Sequence, residues 1–528
     1  MSSADVSTPL KDEDELARLG YKQELKRDFG PLDVFGLSLS CIGIIPSIVT
    51  LLIYAIPNGG PVAMVWGWAT SSFFIIFVAL AFAELGSAMP TVGSIYYWTH
   101  RLSSPRYRNL LSWLVGYINT IAYFSGVTAI AYSCAVEILA AASIGTDLAY
   151  VPTTGQTYGV FIAVLITQCM LLSTKTTFVA KLQLVSVVVN LGVCVAFFVG
   201  FPVSTPSELK NDASYAFGNF ENLYGWPDGF AFILSFLAPT WTISGFDVSV
   251  HVSEEARNAK TVVPWSLVSA VMISAVLGWG LNVVIAFNMG SDVAAILDNP
   301  YGQPMATILL NSFGKGGALA IWSFVIIAQY INGLGILTIS SRQNFALSRD
   351  GAFPFSRYIY ALNVRSGSPV YSVWVSGVMG ALVGLLVFAG PAALGAIFSV
   401  GVIGQYVADS IPIAARFMGG QPFTPGPFNL GRMSLPVAVV ALSWMWFMTI
   451  ILLFPTTSPT NAQEMNYAIV VFGGVVAFSL AYYYFPKYGG VHWFKGPVSN
   501  LGGQGSLTSS HQSIASAGGI ADMDKKEG

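Results

Sequence analysis

Apolar runs of about 20 residues recur along the whole chain, and they leave the fold little choice, because a run of that length matches the hydrocarbon thickness of a bilayer. Twelve spans can be laid down, at roughly 33–56, 62–88, 110–141, 158–174, 177–201, 228–251, 264–289, 316–341, 369–389, 392–415, 434–455 and 465–486. Of the 528 residues, 54% are hydrophobic and only 9% charged, against about 25% charged in a soluble globular domain. The expectation is an all-α polytopic membrane protein with 12 transmembrane helices. With the N-terminus placed in the cytoplasm, every Lys and Arg except Lys210 and Lys315 falls on the cytoplasmic side. Both termini are therefore predicted to be cytoplasmic. The polar residues 1–32 contain no signal-peptide pattern, so the first span is expected to serve as the membrane signal. A formal net charge of −2 gives no basic field for nucleic acid. Cys41, Cys134, Cys169 and Cys194 all lie in apolar runs and read as packing residues, with no disulfide role. The tail, 487–528, is rich in Gly and Ser and is expected to be cytoplasmic and disordered from about 499.

Within this frame one stretch stands out, Phe236–Pro264. It begins apolar, is interrupted at Thr240-Trp241-Thr242 and Ser244-Gly245, carries Asp247 at membrane depth, and ends in the charged turn Glu254-Glu255-Ala256-Arg257. An interrupted helix armed with a carboxylate is costly in hydrocarbon, so it points to function. Span 1 carries a matching interruption at Gly43 and Pro46-Ser47, where Ser47 can cap the half-helix that follows. Spans 1 and 6 are five apart, which is the pattern of two five-helix inverted repeats, 33–201 and 228–415, with 434–486 appended. A broken helix frees backbone N–H groups at one half and C=O groups at the other. Two facing breaks can hold a zwitterion without a permanent counter-charge.

Asp247 is the candidate proton carrier or gate, because burial moves carboxyl chemistry toward neutral pH; its structural alternative is a hydrogen bond to neighbouring backbone. Trp241 and Phe246 can cover the site or pack in the core. Glu84 reads as an anchor to nearby backbone or a basic loop residue. Glu137 and Asp409 read as snorkelling or locally hydrogen-bonded acids. The four His lie near span edges (His100, His251) or in the tail (His492, His511), and none belongs to a metal-ligand cluster. Nothing forms a nucleophile–base pair or a nucleotide loop, so neither an enzyme nor a cofactor is expected. After span 8, Arg342, Arg349, Asp350 and Arg357 suggest an ordered charged gate on the cytoplasmic side, or a basic loop that sets topology.

The order and spacing of several short motifs resemble the amino acid–polyamine–organocation superfamily, and within it the fungal branch of γ-aminobutyrate, choline and amino-acid permeases. These motifs are Ala83-Glu84-Leu85-Gly86-Ser87 with Pro90-Thr91 and Tyr96-Tyr97-Trp98; Ser244-Gly245-Phe246-Asp247 with Glu254-Glu255 and Pro264; Ala346-Leu347-Ser348-Arg349-Asp350-Gly351 with Pro354; and Pro425-Gly426-Pro427-Phe428 with Leu430-Gly431-Arg432. The resemblance implies a LeuT-like fold and alternating access around the breaks of spans 1 and 6. It implies substrate contacts from Gly43, Ile44, Ile45, Pro46, Ser47, Ile48, Trp241, Ser244, Gly245 and Phe246. The family's Gly-Ser/Thr-Gly motif falls on Pro46-Ser47-Ile48, where only the serine is kept. That departure favours a substrate without an α-amino-acid carboxylate pose, such as γ-aminobutyrate or choline. A lysine that some relatives carry in span 5 matches Asn190 here, which leaves Asp247 as the proton-coupling candidate.

The expected function is therefore secondary active import of an amino acid or small amine, foremost γ-aminobutyrate, coupled to protons and located in the plasma membrane, with a vacuolar or other internal membrane as the alternative. Rival readings keep the fold and change the cargo to choline, thiamine or a polyamine, or make the protein a sensor. A quaternary amine would want an aromatic cage, for which Trp241, Phe246 and Tyr123 are available. Sodium is the second choice of coupling ion, at a candidate cation site of Cys41, Thr338 and Ser341 beside Gly43.

Overall fold

The computed structural model describes residues 12–174, 176–298, 300–363, 367–390, 392–462, 464–499 and 501. The tail expected to be disordered lies, beyond Leu501, outside the described residues, as do Lys175 and Arg365. The chain forms two units, Met1–Glu24 with Pro497–Gly528, and Leu25–Gly496. In the first, a seven-residue helix, Asp12–Arg18, places four acids in its first turn and Arg18 in its last, as the helix dipole favours.

The second unit is helical throughout its regular structure. Among the described residues ten helices are long and apolar enough to cross a bilayer. They are span 1 (Pro31–Ala55), span 2 (Gly60–Ala88), span 3 (Arg108–Gly145), span 4 (Thr154–Leu172), span 5 (Thr177–Ser204), span 7 (Ala259–Asn288), span 8 (Pro304–Arg349), span 9 (Val370–Ala389), span 10 (Ala393–Met418) and span 11 (Gly431–Ile451). Two of the twelve expected spans fall outside this set for physical reasons. Span 6 is divided into Asp228–Leu234, Leu237–Thr242 and Val248–His251, each too short to cross alone. Span 12 is the helix Ala468–Tyr483, whose 16 residues rise about 24 Å against a hydrocarbon core of about 30 Å. The protein is thus an all-α polytopic membrane protein in which ten helices, and not twelve, satisfy the length criterion.

Burial sorts the helices into an inner and an outer set. In its most apolar stretch span 1 is 94% buried, span 10 is 89% and span 3 is 78%, while spans 5 and 9 are only 33% buried. The outer spans turn large side chains outward, among them Val188, Val195 and Val203 of span 5 and Trp265, Met272 and Val276 of span 7. Such an apolar exterior suits lipid and would be a liability in water. Span 3 packs along spans 8 and 10, and span 8 also touches both halves of span 1.

The two ends of the bundle differ in charge. At the end reached by residues 84, 254 and 416, which we call the charged end, Glu84 gathers four donors. Arg416 holds it with both guanidinium nitrogens, Nη2 at 2.9 Å from Oε1, while the Leu430 N–H (3.2 Å) and the Ser434 hydroxyl (2.6 Å) also donate to it. This carboxylate joins spans 2, 10 and 11, and the expected anchoring role of Glu84 matches what its partners do. Nearby, Phe428 donates its N–H to the Ser87 hydroxyl (3.0 Å), seating the Pro425–Phe428 loop on the end of span 2. Breaking a buried ion pair from one side costs about 3–5 kcal/mol because the other charge is stranded. Glu84→Ala is therefore expected to lower the apparent melting temperature of the detergent-solubilised protein by more than Glu84→Gln, which keeps an acceptor for Arg416 and Leu430. Equal melting curves for the two variants and the parent would refute the anchoring role.

Candidate functional site

Both expected interruptions are backbone breaks, and they face one another. Span 1 divides at Gly43, whose φ of 55° and ψ of 63° are left-handed. Pro31–Ile42 ends there and Ile44–Ala55 begins. The N–H groups of Ile44 and Ile45 open the second half with no preceding helical carbonyl to bond. A side chain at position 43 would collide with the Asn332 amide of span 8. In span 6, Leu237–Thr242 ends, and the chain passes through Gly245 at φ 72° to reach Val248–His251. A Cβ on Gly245 would stand 3.0 Å from the Cys41 sulfur, so the two breaks pack directly together. The Ser244 hydroxyl and N–H both donate to the Trp241 carbonyl, at 2.5 and 3.1 Å.

Between the breaks lies a cavity of about 20 Å³, little more than the room one water needs. Cys41, Ile42 and Ser47 of span 1 and Trp241, Ser244 and Gly245 of span 6 line it. Tyr123 and Gly126 of span 3, Ile336 of span 8, and Gly401 and Gln405 of span 10 complete its wall. Trp241 stands edge-on to Phe398 with centroids 4.6 Å apart, and Phe398 meets Tyr54 at 5.8 Å. Beyond these rings, toward the end opposite the charged end, opens a second cavity of about 260 Å³, bordered by Tyr54, Tyr224, Leu237, Ser399 and Asn466.

Toward the charged end a buried polar network begins at the cavity wall. The Tyr123 hydroxyl donates to Asp247 Oδ2 and lies 2.8 Å from His251 Nε2. His251 Nε2 is 3.7 Å from Asp247 Oδ2 and 3.3 Å from the Ser94 hydroxyl. Asp247 and His251 are both fully buried, and Asp247 Oδ1 accepts no hydrogen bond from the protein. A few residues on, the chain reaches the ion pairs that close the charged end. Arg342 meets Glu255 at 2.9 Å, and Arg349 meets Glu254 at 3.1 Å. Glu254 also accepts from the Val92 N–H (3.1 Å). The segment before span 1 joins in: Arg27 donates to the carbonyls of Ser253 (3.3 Å) and Ala256 (2.5 Å), and Phe29 exchanges backbone hydrogen bonds with Glu255 and Arg257.

Several sequence expectations need correction. The break in span 1 is at Gly43, and Pro46 is the third residue of the new half-helix, where its missing N–H costs nothing. Ser47 does not cap that half; its hydroxyl donates backward to the Ile42 carbonyl (3.2 Å). Of the ten expected substrate-contacting residues, Ser47, Trp241, Ser244 and Gly245 line the cavity. Gly43, Ile44, Ile45 and Pro46 build the break beside it, while Ile48 lines a separate small space facing Trp68 and Asn282. Phe246 packs away against Phe82, with centroids 6.0 Å apart, so it adds nothing to an aromatic cage. The hydroxyls of Thr338 and Ser341, expected beside Cys41 as a cation site, are turned to their own helix. The Thr338 hydroxyl bonds the Leu334 carbonyl and Ser341 bonds the Thr338 carbonyl, with the Arg342 guanidinium 3.2 Å from the Ser341 oxygen. Of the two readings of Glu137, the hydrogen-bonded one agrees with the structure: it is buried and accepts from Thr50 of span 1 at 3.1 Å. Asp409 neither snorkels nor bonds: it is fully buried and neither carboxyl oxygen has a protein donor. Arg342 and Arg349 lie within the helix of span 8 and not in the connection after it.

Sequence reading passed over His251, Asn332 and Gln405. The first had a readable signal, since four residues after Asp247 is the helical spacing that brings side chains together. The amide atoms of Asn332 have no partner even though it sits on the span 1 break, and only the tertiary contact between spans 1 and 8 shows this.

Comparison with known proteins agrees with this architecture. The amino acid permease family model matches residues 29–475. An uncharacterized amino-acid permease of Schizosaccharomyces pombe is 38% identical, over 94% of this chain and 91% of its own. The GABA-specific permease of Saccharomyces cerevisiae is 35% identical, over 94% of this chain and 87% of its own. Amino-acid permease 2 of Neurospora crassa is 31% identical, over 94% and 91%. A membrane transporter and not an enzyme, the chain belongs to the amino acid permease family, within the amino acid–polyamine–organocation superfamily.

Proposed function

We propose that the protein imports a small amino acid or amine, γ-aminobutyrate foremost, by proton-coupled alternating access across the plasma membrane. The observation that carries this reading is the pair of glycine breaks facing one cavity. The N–H groups of Ile44 and Ile45 offer a carboxylate its partners. The carbonyl end of Leu237–Thr242 and the rings of Trp241 and Tyr123 suit an ammonium group. The name of the S. cerevisiae relative supports γ-aminobutyrate. The distribution of Lys and Arg supports cytoplasmic termini, which makes the charged end the inner one. Residues 33–201 and 228–415 then form the two inverted repeats that rock about the site, with 434–486 appended.

On this reading the protein is closed inward by Arg342–Glu255 and Arg349–Glu254. Outward, Trp241, Phe398 and Tyr54 form a layer of rings between the site and the larger cavity. Asp247 stands behind Tyr123, placed to exchange a proton with the site through that hydroxyl. A quaternary amine is the second reading, and it rests on Trp241 and Tyr123 alone. Sodium at Thr338 and Ser341 is disfavoured by the Arg342 guanidinium beside them.

Uptake into proteoliposomes tests this, with labelled γ-aminobutyrate, choline, several α-amino acids and putrescine, each with and without an imposed inward proton gradient. γ-Aminobutyrate is expected to accumulate best, and faster with the gradient. Preference for choline or putrescine would overturn the assigned substrate. Asp247→Asn is expected to reduce gradient-driven uptake by about tenfold or more, a loss typical of a broken coupling between two bound species. Unchanged gradient-driven uptake in that variant would remove Asp247 from the coupling. Gly245→Leu, which places a side chain against Cys41 and demands a left-handed backbone, is expected to raise the KM by about tenfold. A parental KM would move the binding site away from the breaks.

A further inference from the structure

Asp409 is the least explained polar group in the protein. It lies in span 10, is fully buried, and neither of its carboxyl oxygens receives a hydrogen bond among the described residues. Its position is fixed closely. One helical turn before it, Gln405 lines the central cavity beside Tyr123. Span 10 presses against span 3 there, so that a Cβ on Gly404 would meet Ala122 at 3.0 Å. Asp409 therefore sits just behind the cavity wall, within electrostatic reach of both Asp247 and Tyr123. Asp247 likewise has one oxygen with no donor.

The ionisable groups facing these two acids are Cys41 of span 1, Tyr123 of span 3, His251 of span 6 and Tyr406 of span 10. The guanidinium groups at the charged end are engaged elsewhere, Arg416 by Glu84, Arg342 by Glu255 and Arg349 by Glu254. Two buried carboxylates that act on one another electrostatically, with no Lys or Arg paired to either among the described residues, are costly when both are charged, and one proton on the pair removes that cost.

We propose that Asp409 and Asp247 form a two-carboxyl site that binds one exchangeable proton, with Tyr123 and His251 as its two connections. This rests on the proton-coupled reading above and adds a second acid to it. The proton arrives from the cavity at the Tyr123 oxygen as Tyr123 passes its own proton to Asp247, so the phenol stays neutral and the acid pair gains one proton. On release Asp247 returns a proton to the Tyr123 oxygen as Tyr123 passes its own to His251 Nε2, 2.8 Å away, and the ring continues the network to Ser94 and toward the charged end. Asp409 has no hydrogen-bonded route of its own and acts as a positioning residue. Its charge decides how strongly the pair holds the proton.

The test uses the full chain in proteoliposomes, with the transported substrate identified by the uptake panel. Asp409→Asn is expected to lower the ratio of gradient-driven accumulation to counterflow exchange by about fivefold or more, and to displace the pH profile of uptake. A purely structural role would lower both fluxes together and leave the ratio and the profile alone, and that result overturns the proposal. Infrared difference spectra between acid and alkaline pH supply a second measurement, which does not depend on the Asp409 variant folding. A buried carboxyl band is expected to persist in Asp247→Asn at an altered pH midpoint, because Asp409 has lost its neighbour. Loss of every such band in that variant would mean that Asp409 binds no proton, and the proposal falls. If the parent protein ignores the proton gradient with every substrate, the coupled reading fails. The infrared bands then still decide whether the two acids share a proton.

Discussion

A backbone hydrogen bond left unmade inside a bilayer is the constraint on which the rest of this molecule depends. Each such group costs several kcal/mol in hydrocarbon unless protein encloses it. Spans 1 and 6 are interrupted at Gly43 and Gly245, where helix ends leave such groups, and the chain brings the two breaks together. Enclosing them requires a closed wall. Span 3 supplies Tyr123 and Gly126, span 10 supplies Gly401 and Gln405, and span 8 supplies Ile336 and Asn332. This explains why spans 1, 3 and 10 are the buried helices and why spans 5 and 9 are left to face lipid.

The same low dielectric sorts the acids. Glu84, Glu254 and Glu255 lie at the charged end, and each is held by an arginine. Asp247, Glu137 and Asp409 lie deeper, and among the described residues none of them forms an ion pair with Lys or Arg. A paired acid is a fixed charge that joins helices. A deep acid without a cation has a charge state that its surroundings can change. The division between carboxyls held by an arginine and carboxyls without one thus follows depth, and depth follows from how the helices are laid around the two breaks.

Much of this was legible in the residues. Apolar run length located ten helices, and Gly245 with Ser244 marked the break in span 6 correctly, because no helix former stands there. Span 1 misled in one respect. Of the interruption expected at Gly43 and Pro46-Ser47, the break falls on Gly43, while Pro46 is at home in the first turn of the helix that follows. Asp409 and His251 misled for a different reason. Sequence places both near span ends, where water is expected. Span 10 in fact continues to Met418, and the turn after Gly245 folds back under Phe29 and Arg27, so both residues end in the interior. Burial of this kind is a tertiary fact, set by which segments cover one another, and no local pattern encodes it.

One short segment links the parts that transport would have to coordinate. From Gly245 to Ala256 the chain passes from the break, through Asp247 and His251, to the two glutamates that hold Arg342 and Arg349 and the carbonyl that holds Arg27. These residues do not form one rigid helix; Val248–His251 is a single turn between a left-handed glycine and a bonded loop. A change at Gly245 is therefore carried along the backbone to the ion pairs within about three helical turns' length of chain. The pairs are buried and costly to break one at a time. Under the proposed alternating access, moving the whole segment would exchange them together. In the proposed mechanism, the charge on the Asp247–Asp409 pair biases that segment directly, because Asp247 is part of it.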